Sequence, residues 1–355
     1  MPLIQTNKLP AFERLRKEGQ PIINPKRAEH QDIRELHIGV LNMMQDAALE
    51  ATERQFLRLI GNSAQIAQMH AHFFTLDSIK RNERSSKHID EYYARFEDIK
   101  KQGLDALIVT GANVSEADLT KEVFWSELCE VLDWAVDNVS STICACLSAH
   151  AAMRHFYGVR RTQMPAKLWG LYPHHKADRK HPLMSWVNTQ FNVPHSRFNT
   201  IERQEFEDVN CQVLVESAEA GVHIALSPDL FRLIFVQGHL EYDTHSLLKE
   251  YKREVQAFID DERDSYPPFP ENYFSSQSKA ILLEHETEVL QAKTNGVEAP
   301  EFPEQLIQER LFNTWRDSAK SFMNNWIGLV YQTTHFDQHK QYMDHIDPED
   351  PLGLK

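Results

Sequence analysis

SSTICACLSAHAAMRHFYG, residues 140–158, is the stretch on which the reading of this chain turns. Its first half is a short β-branched apolar run, which predicts a buried strand. Its second half is Ala-rich, has helical spacing and stops at Gly158. Cys146 stands at the junction. A sharp strand-to-helix turn presents its residue at the edge of a sheet, and a helix N-terminus there favours a thiolate. The backbone N–H of Leu147 would then face a developing oxyanion. Ala145, Ser148 and Ala149 are small, as tight packing of such a turn demands. The plain alternative is a structural thiol at a strand end.

The same alternation recurs upstream. HIGVLNM (37–43) predicts a buried strand, and DAALEATERQFLRLIG (46–61) a helix with Asp46 as N-cap and Gly61 at its stop. AQIAQMHAHFF (64–74) is strand-like, HIDEYYARFEDIKKQG (88–103) helical, LDALIVTGA (104–112) a clear buried strand, and FWSELCEVLDWAVDN (124–138) an amphipathic helix. Strands alternating with helices predict an α/β fold with a mostly parallel sheet covered by helices. Ligands in such sheets bind beyond the carboxyl ends of the strands, which singles out Gly111, Ser115 and Cys146. Downstream, NTQFNVPHSRF, CQVLVES, GVHIALS and FRLIFVQGH (within 188–239) predict additional strands in a mixed or antiparallel extension. SLLKEYKREVQAFIDD (246–261) returns to helix, a last helix is expected over 304–331, and the polar tail from Asp337 is expected to fray. The predicted organisation is a lead-in segment at 1–34, a main domain at 35–274, an insertion at 275–310, and a C-terminal helix with polar tail at 311–355.

Composition narrows the function classes. The chain has 355 residues, 41% hydrophobic and 25% charged, which is ordinary globular composition. Lys and Arg total 38 against 52 Asp and Glu, a net charge of −14, so nothing draws the whole molecule to nucleic acid or anionic lipid. Arg160, Arg161 and Lys167 could still make a local anion site. No apolar run approaches the ~18–20 residues a bilayer span needs, and a soluble cytoplasmic protein is expected. Cys129, Cys144, Cys146 and Cys211 are too sparse for a disulfide scaffold, so free thiols are expected. GxxxxGK[ST] and GxGxxG are both absent, so no ATP or NAD loop is indicated. Among 18 histidines, His174 and His175, His70 and His72, and His335 and His339 are the tightest groups. None comes with a further carboxylate or thiolate in a ligand pattern, and no metal site is expected.

GHLEYD (238–243) follows the strand-like FRLIFVQ. His239 and Glu241 are two apart, so in extended backbone they point to one side. A carboxylate there holds the imidazole tautomer while the other ring nitrogen takes a thiol proton. With Cys146, these residues suggest a Cys-His-Glu triad.

A strand ending in a Cys elbow, then a strand ending in HxE, resembles the flavodoxin-like fold of the class I glutamine amidotransferases. Within that fold the chain resembles the homoserine O-succinyltransferase and O-acetyltransferase family of methionine biosynthesis. The resemblance rests on HQDIRELHIGVLNMM, RQFLRLIGN, LIVTGA, STICACLSAHAA, PHSRF (194–198), GHLEYD, PENYF (270–274) and TWRDSAKSFMNNWIGLVYQ. It implies acyl transfer from acyl-CoA, as co-substrate, to the homoserine hydroxyl through a cysteine thioester in a ping-pong mechanism. By the same resemblance Cys146 is the nucleophile, His239 the general base and Glu241 its orienter. Lys167, Ser196 and Arg253 fall on acceptor-binding positions. Ser115 falls on the position that sets acyl length, where a small residue admits succinyl rather than acetyl. A homodimer is expected from the family.

The chain departs from the family where a Pro and a Lys pair usually follow the first strand. Gln45-Asp46-Ala47-Ala48 stands there, and the lysine is absent. Leu147, His150, Leu240 and the stretch Asp317-Ser318-Ala319-Lys320 also differ. These changes keep open a serine or other specialised amino-acid acceptor, and the shared fold keeps open a glutamine amidotransferase-type hydrolase.

Overall fold

The apolar runs of the first half lie side by side as parallel strands. The computed structural model describes residues 3–20, 22–28, 34–63 and 67–355. In chain order the elements are β1 (Leu3–Ile4), α1 (Pro10–Lys17), β2 (Ile22–Ile23), α2 (Pro25–Ala28), β3 (Glu35–Leu41), α3 (Asp46–Gly61) and β4 (Gln68–Phe74). There follow α4 (Glu83–Tyr92), α5 (Phe96–Gln102), β5 (Ala106–Val109), α6 (Trp125–Asn138), β6 (Ser141–Ala145), α7 (Leu147–Tyr157), β7 (Thr162–Lys176), β8 (Gln190–Thr200) and α8 (Arg203–Glu207). The chain closes with β9 (Gln212–Ser217), β10 (Gly221–Leu226), β11 (Leu233–Val236), α9 (Ser246–Ile259), α10 (Ser276–Asn295), α11 (Glu304–Gln308) and α12 (Arg316–Thr333). Residues 30–33 of HQDIRELHIGVLNMM and residues 64–66 of the strand-like run lie outside the described residues.

The strands form one 11-stranded sheet in the order β2-β1-β4-β3-β5-β6-β11-β10-β9-β7-β8. Pairings from β2 through β11 are parallel, and those beyond β11 are antiparallel. Every residue of β5 and β6 is buried, as strands covered on both faces must be. Alternation along β5 sends Ala106 and Ile108 to one core with Phe56, Phe322 and Trp326 from α3 and α12. Leu107 and Val109 go to the opposite core, with Leu128, Leu132 and Met153 from α6 and α7. The sequence expectation of a mostly parallel, helix-covered sheet with an antiparallel extension is what the structure has.

A third core, separate from the two faces, joins Trp169 and Leu171 of β7, Tyr251 and Val255 of α9, Leu282 of α10 and Ile307 of α11. The Pro-rich excursion therefore buries apolar side chains against α9. Its start docks on β7, where Leu171 N donates to Glu271 O and Glu271 N to Trp169 O, both at 2.8 Å. Gly170, at φ 149°, lies so close that a Cβ there would overlap the Glu271 backbone.

Several local expectations need correction. The run 88–103 is two helices, because the chain breaks at Tyr93–Arg95 to turn Tyr93 inward, where its hydroxyl donates to Glu53 at 2.8 Å. Asp46 is the first residue of α3 and not its cap; its carboxylate instead accepts from Asn82 N at 2.9 Å. The last helix is likewise two, since Asn313 Oδ1 accepts from the Trp315 and Arg316 amides and starts α12 afresh. Strand β7 was not read from the sequence: Pro165, Gly170 and Pro173 disguise it, and its pairing with β8 is irregular between Gln163 and Leu168. The tail does not fray. Tyr342 is buried with its hydroxyl on Ser140 O at 2.8 Å, and Gln341 Nε2 donates to the Val136 and Val139 carbonyls at the end of α6. No helix among the described residues is long and apolar enough to cross a membrane.

Candidate active site

Cys146 occupies a one-residue turn between β6 and α7, at φ 56° and ψ −113°. A non-glycine residue rarely adopts positive φ, and such strain persists only where its surroundings impose it. Here Cys146 N donates to Val236 O at 2.6 Å, and Ala149 N donates to Cys146 O at 3.1 Å. Ser148 Oγ pins the first turn of α7 to Val109 O at 2.8 Å. Gly111 lies beside the turn, where a Cβ would make ordinary contact with Cys146 Cβ at 3.5 Å.

Because β11 pairs in parallel with β6, with Val236 opposite Ala145, the loop after β11 emerges beside Cys146. The loop is held by buried bonds: Gln237 meets His150 at 2.8 Å, the Ile201 amide at 2.9 Å and the Val222 carbonyl at 2.8 Å. Gly238 packs so closely that a Cβ would lie 2.6 Å from Val193 Cγ1 and 2.9 Å from the His195 ring. His239 N donates to Pro194 O at 2.9 Å. The His239 ring bonds Glu241 Oε1 through Nδ1 at 2.7 Å and stands beside the Cys146 side chain. Burial by itself would lower the His239 pKa, but the Glu241 charge and the neighbouring Cys146 carry it well above the ordinary 6.5. The structure thus brings Cys146, His239 and Glu241 together. Arg161 and Arg197, both within electrostatic reach of Cys146, add positive field at the thiol.

The other residues singled out from the sequence gather around a carboxylate that the sequence did not flag. Glu250, on α9, accepts Ser196 Oγ at 2.6 Å and Trp169 Nε1 at 2.9 Å through Oε2, and Tyr242 Oη at 2.6 Å through Oε1. Lys167 Nζ stands 3.6 Å from the same Oε2 and 4.3 Å from the centre of the Trp169 ring. Burial lowers the Lys167 pKa, opposed by Glu250. Arg253 lies one turn along α9 from Glu250, its guanidinium half exposed and only loosely paired with Glu254 at 3.9 Å.

Cys146, Ser196, His239, Glu241, Tyr242, Glu250 and Arg253 all line one cavity of about 350 Å³. Its opposite wall is Met44, Gln45, Ala47, Ala48 and Ala51, the segment without the family lysine. Arg54 of α3 and Lys249 of α9 complete it. Among the described residues neither forms an ion pair with a carboxylate; Arg54 donates to the Glu50 carbonyl at 3.0 Å. Burial lowers the pKa of each and neighbouring arginines lower it further, against the opposing charge of Asp243, which also lines the cavity. Ser115 does not line this cavity. Its amide and hydroxyl turn to the Glu122 carboxylate at 2.7 and 3.4 Å, and Asn113 takes the wall position nearest it in sequence.

Sequence reasoning missed Glu250, Tyr242, Arg54 and Lys249. Glu250 had one usable signal, its i,i+3 spacing to Arg253 on a predicted helix. Arg54 had none, since only the docking of α3 turns it to the cavity.

A family model described as homoserine O-succinyltransferase matches residues 2–336. A homoserine O-succinyltransferase of Allochromatium vinosum is 57% identical over 354 residues, covering 100% of this chain and 99% of the relative. One of Thiothrix nivea is 55% identical over 355 residues, with 100% and 99% coverage. Among solved structures, a glutamine amidotransferase from Methylobacillus flagellatus aligns at 12% identity and TM-score 0.43, over 89% of this chain and 99% of that one.

Proposed function

The chain belongs to the homoserine O-succinyltransferase family, and from that premise we propose that it transfers a succinyl group from succinyl-CoA to the side-chain hydroxyl of L-homoserine through a thioester on Cys146. The observation that carries this reading is Cys146 beside the bonded pair His239–Glu241 on the wall of a cavity that also holds Arg54 and Lys249.

In the first half-reaction His239 holds the Cys146 proton, and the thiolate attacks the acyl carbonyl carbon of succinyl-CoA. The tetrahedral oxyanion faces the Leu147 amide and the Gly111 backbone. The C–S bond to CoA breaks, and His239 returns its proton to the leaving CoA thiolate. In the second half-reaction His239 removes the homoserine hydroxyl proton, the alkoxide attacks the thioester, and Cys146 leaves as thiolate while the proton stays on His239. The thioester divides one transfer into two easier ones and keeps the acyl group activated for an alcohol. Glu241 keeps the imidazole oriented and stabilises its cation throughout.

Arg253 presents a planar fork suited to the α-carboxylate of the acceptor. Glu250 holds Lys167 and Ser196 in place beside it. Arg54 and Lys249 supply the positive charge that the missing family lysine would have given, and they match the distal carboxylate of a succinyl group. An acetyl group would leave them unpaired.

The test is the rate of CoA release with succinyl-CoA or acetyl-CoA, each offered homoserine or serine. The reading expects succinyl-CoA with homoserine to be turned over fastest. Faster turnover of acetyl-CoA, or of serine, would overturn the corresponding half of it.

A further inference from the structure

We propose that Glu35, His37 and His70 form a site for a divalent transition-metal cation of the zinc class at the amino-terminal ends of β3 and β4. The parallel register sets His37 beside His70 and Gly39 beside His72, with Glu35 beside Gln68. Side chains two apart on a strand share a face. The register therefore collects one carboxylate and three imidazoles on one surface, although Glu35 and His37 are remote in sequence from His70 and His72. The sequence expectation of no metal site rested on finding no carboxylate near the histidine pairs; strand pairing supplies it.

Glu35 Oε2 lies 3.6 Å from His70 Nε2 and 3.8 Å from His37 Nε2, and the three ligand atoms all lie within 4.8 Å of one another. Tetrahedral Zn²⁺ with bonds of ~2.0–2.2 Å sets its ligand atoms ~3.3 Å apart, within some tenths of an ångström of the two Glu35–His separations. The His37 and His70 rings stack with centroids 4.6 Å apart and planes 4° from parallel, so one ring has to turn for both Nε2 lone pairs to meet a common ion. His70 Nε2 is buried and has no hydrogen-bond partner. A buried imidazole nitrogen without a partner is uncommon and needs a reason.

His72 completes the arrangement from behind. Its Nε2 lies 2.9 Å from His37 Nδ1, and the Gln102 amide, 3.1 Å from the same atom, presents its oxygen there when His37 Nδ1 carries the proton. With the His37 proton on Nδ1, donated to His72, the His37 Nε2 lone pair is free for an ion. Metal-binding histidines are held in this way through their other nitrogen. Glu35 is 44% exposed and opens the site to solvent, where water fills the remaining position. Two imidazoles and one carboxylate suit Zn²⁺, Co²⁺ or Ni²⁺; Mg²⁺ and Ca²⁺ prefer an all-oxygen shell. The site stands at the opposite end of the sheet from Cys146, ~20 Å from His37 along the strand direction at ~3.3 Å per residue.

The experiment titrates metal-stripped full-length protein with Co²⁺, read by its visible spectrum, and with Zn²⁺, read by calorimetry and thermal midpoint. The expected result is one equivalent per chain, a cobalt spectrum without a thiolate charge-transfer band, and a midpoint that rises with Zn²⁺. Affinity should fall at least tenfold in H70Q and E35Q, and ~10–100-fold in H72Q. Glu35 is exposed, so E35Q keeps the test open if H70Q fails to fold. No bound equivalent in the wild type, a thiolate band, or affinity unchanged in E35Q would overturn the proposal.

Discussion

The Tyr242 ring lies flat on the His239 imidazole, centroids 4.0 Å apart and planes 15° from parallel, while its hydroxyl donates to Glu250 at 2.6 Å. One side chain thus joins the Cys146–His239–Glu241 triad to the carboxylate that organises Ser196 and Lys167.

Tyr242→Phe keeps the stack and removes the hydroxyl. A hydrogen bond to a charged group contributes about 1.5–3 kcal/mol. The acceptor KM should therefore rise by roughly tenfold or more, while acylation of Cys146 by succinyl-CoA stays near the wild-type rate. Stopped-flow acylation and steady-state kinetics separate the two; an unchanged acceptor KM would count against the link.

His239 gives the protein a pH-dependent stability. Its folded pKa is raised well above 6.5 because Glu241 and Cys146 outweigh the opposing effect of burial. A raised pKa stabilises fully below the unfolded value and loses that contribution as pH climbs through the folded one. The thermal midpoint should fall on the alkaline side of neutrality, and Glu241→Gln should flatten that fall. Parallel pH profiles for wild type and variant would contradict the assignment.

Two glycine substitutions should have opposite effects. A Cβ on Gly238 would meet Val193 and His195 at 2.6 and 2.9 Å, so Gly238→Ala must displace the loop carrying His239. Turnover should drop at least a hundredfold, since an ångström of misplacement costs about that much. Gly328, inside α12, has open space around it, and Gly328→Ala should add about 0.5–1 kcal/mol of stability with activity unchanged. Chemical denaturation and initial rates check both.

Arg54→Gln should discriminate between acyl donors. Losing a charge-assisted bond of about 1.5–3 kcal/mol should reduce kcat/KM for succinyl-CoA at least tenfold and leave acetyl-CoA nearly unaffected. Equal losses with both donors would place Arg54 elsewhere in the reaction, for instance on the CoA moiety.

The elbow and the HxE loop were legible in the sequence because each is set by a few adjacent residues. A β-branched run ending in Cys146 before an Ala-rich helix has few folds open to it, and His239 and Glu241 share a side by strand periodicity alone. What stayed hidden depends on how distant elements dock. Glu250 matters because β7, β8 and α9 converge on it, and β7 carries two prolines and a glycine that mask its strand character. Arg54 and Lys249 come to line one cavity only once α3 packs against α9. Position 115 was read as an acyl-length gate through the family resemblance, yet its loop folds back onto Glu122. The polar tail was expected to fray because hydrophobicity was the only anchor considered, whereas Gln341 and Tyr342 bind backbone carbonyls.

The central claim is that Cys146 carries the acyl group. Intact-mass spectrometry after mixing the protein with succinyl-CoA, without acceptor, tests it most directly. The account predicts one succinyl adduct per chain, mapped to Cys146, absent in Cys146→Ala and discharged by homoserine. Succinyl transfer to homoserine that persists in Cys146→Ala, or that proceeds in the wild type with no adduct formed, would contradict it.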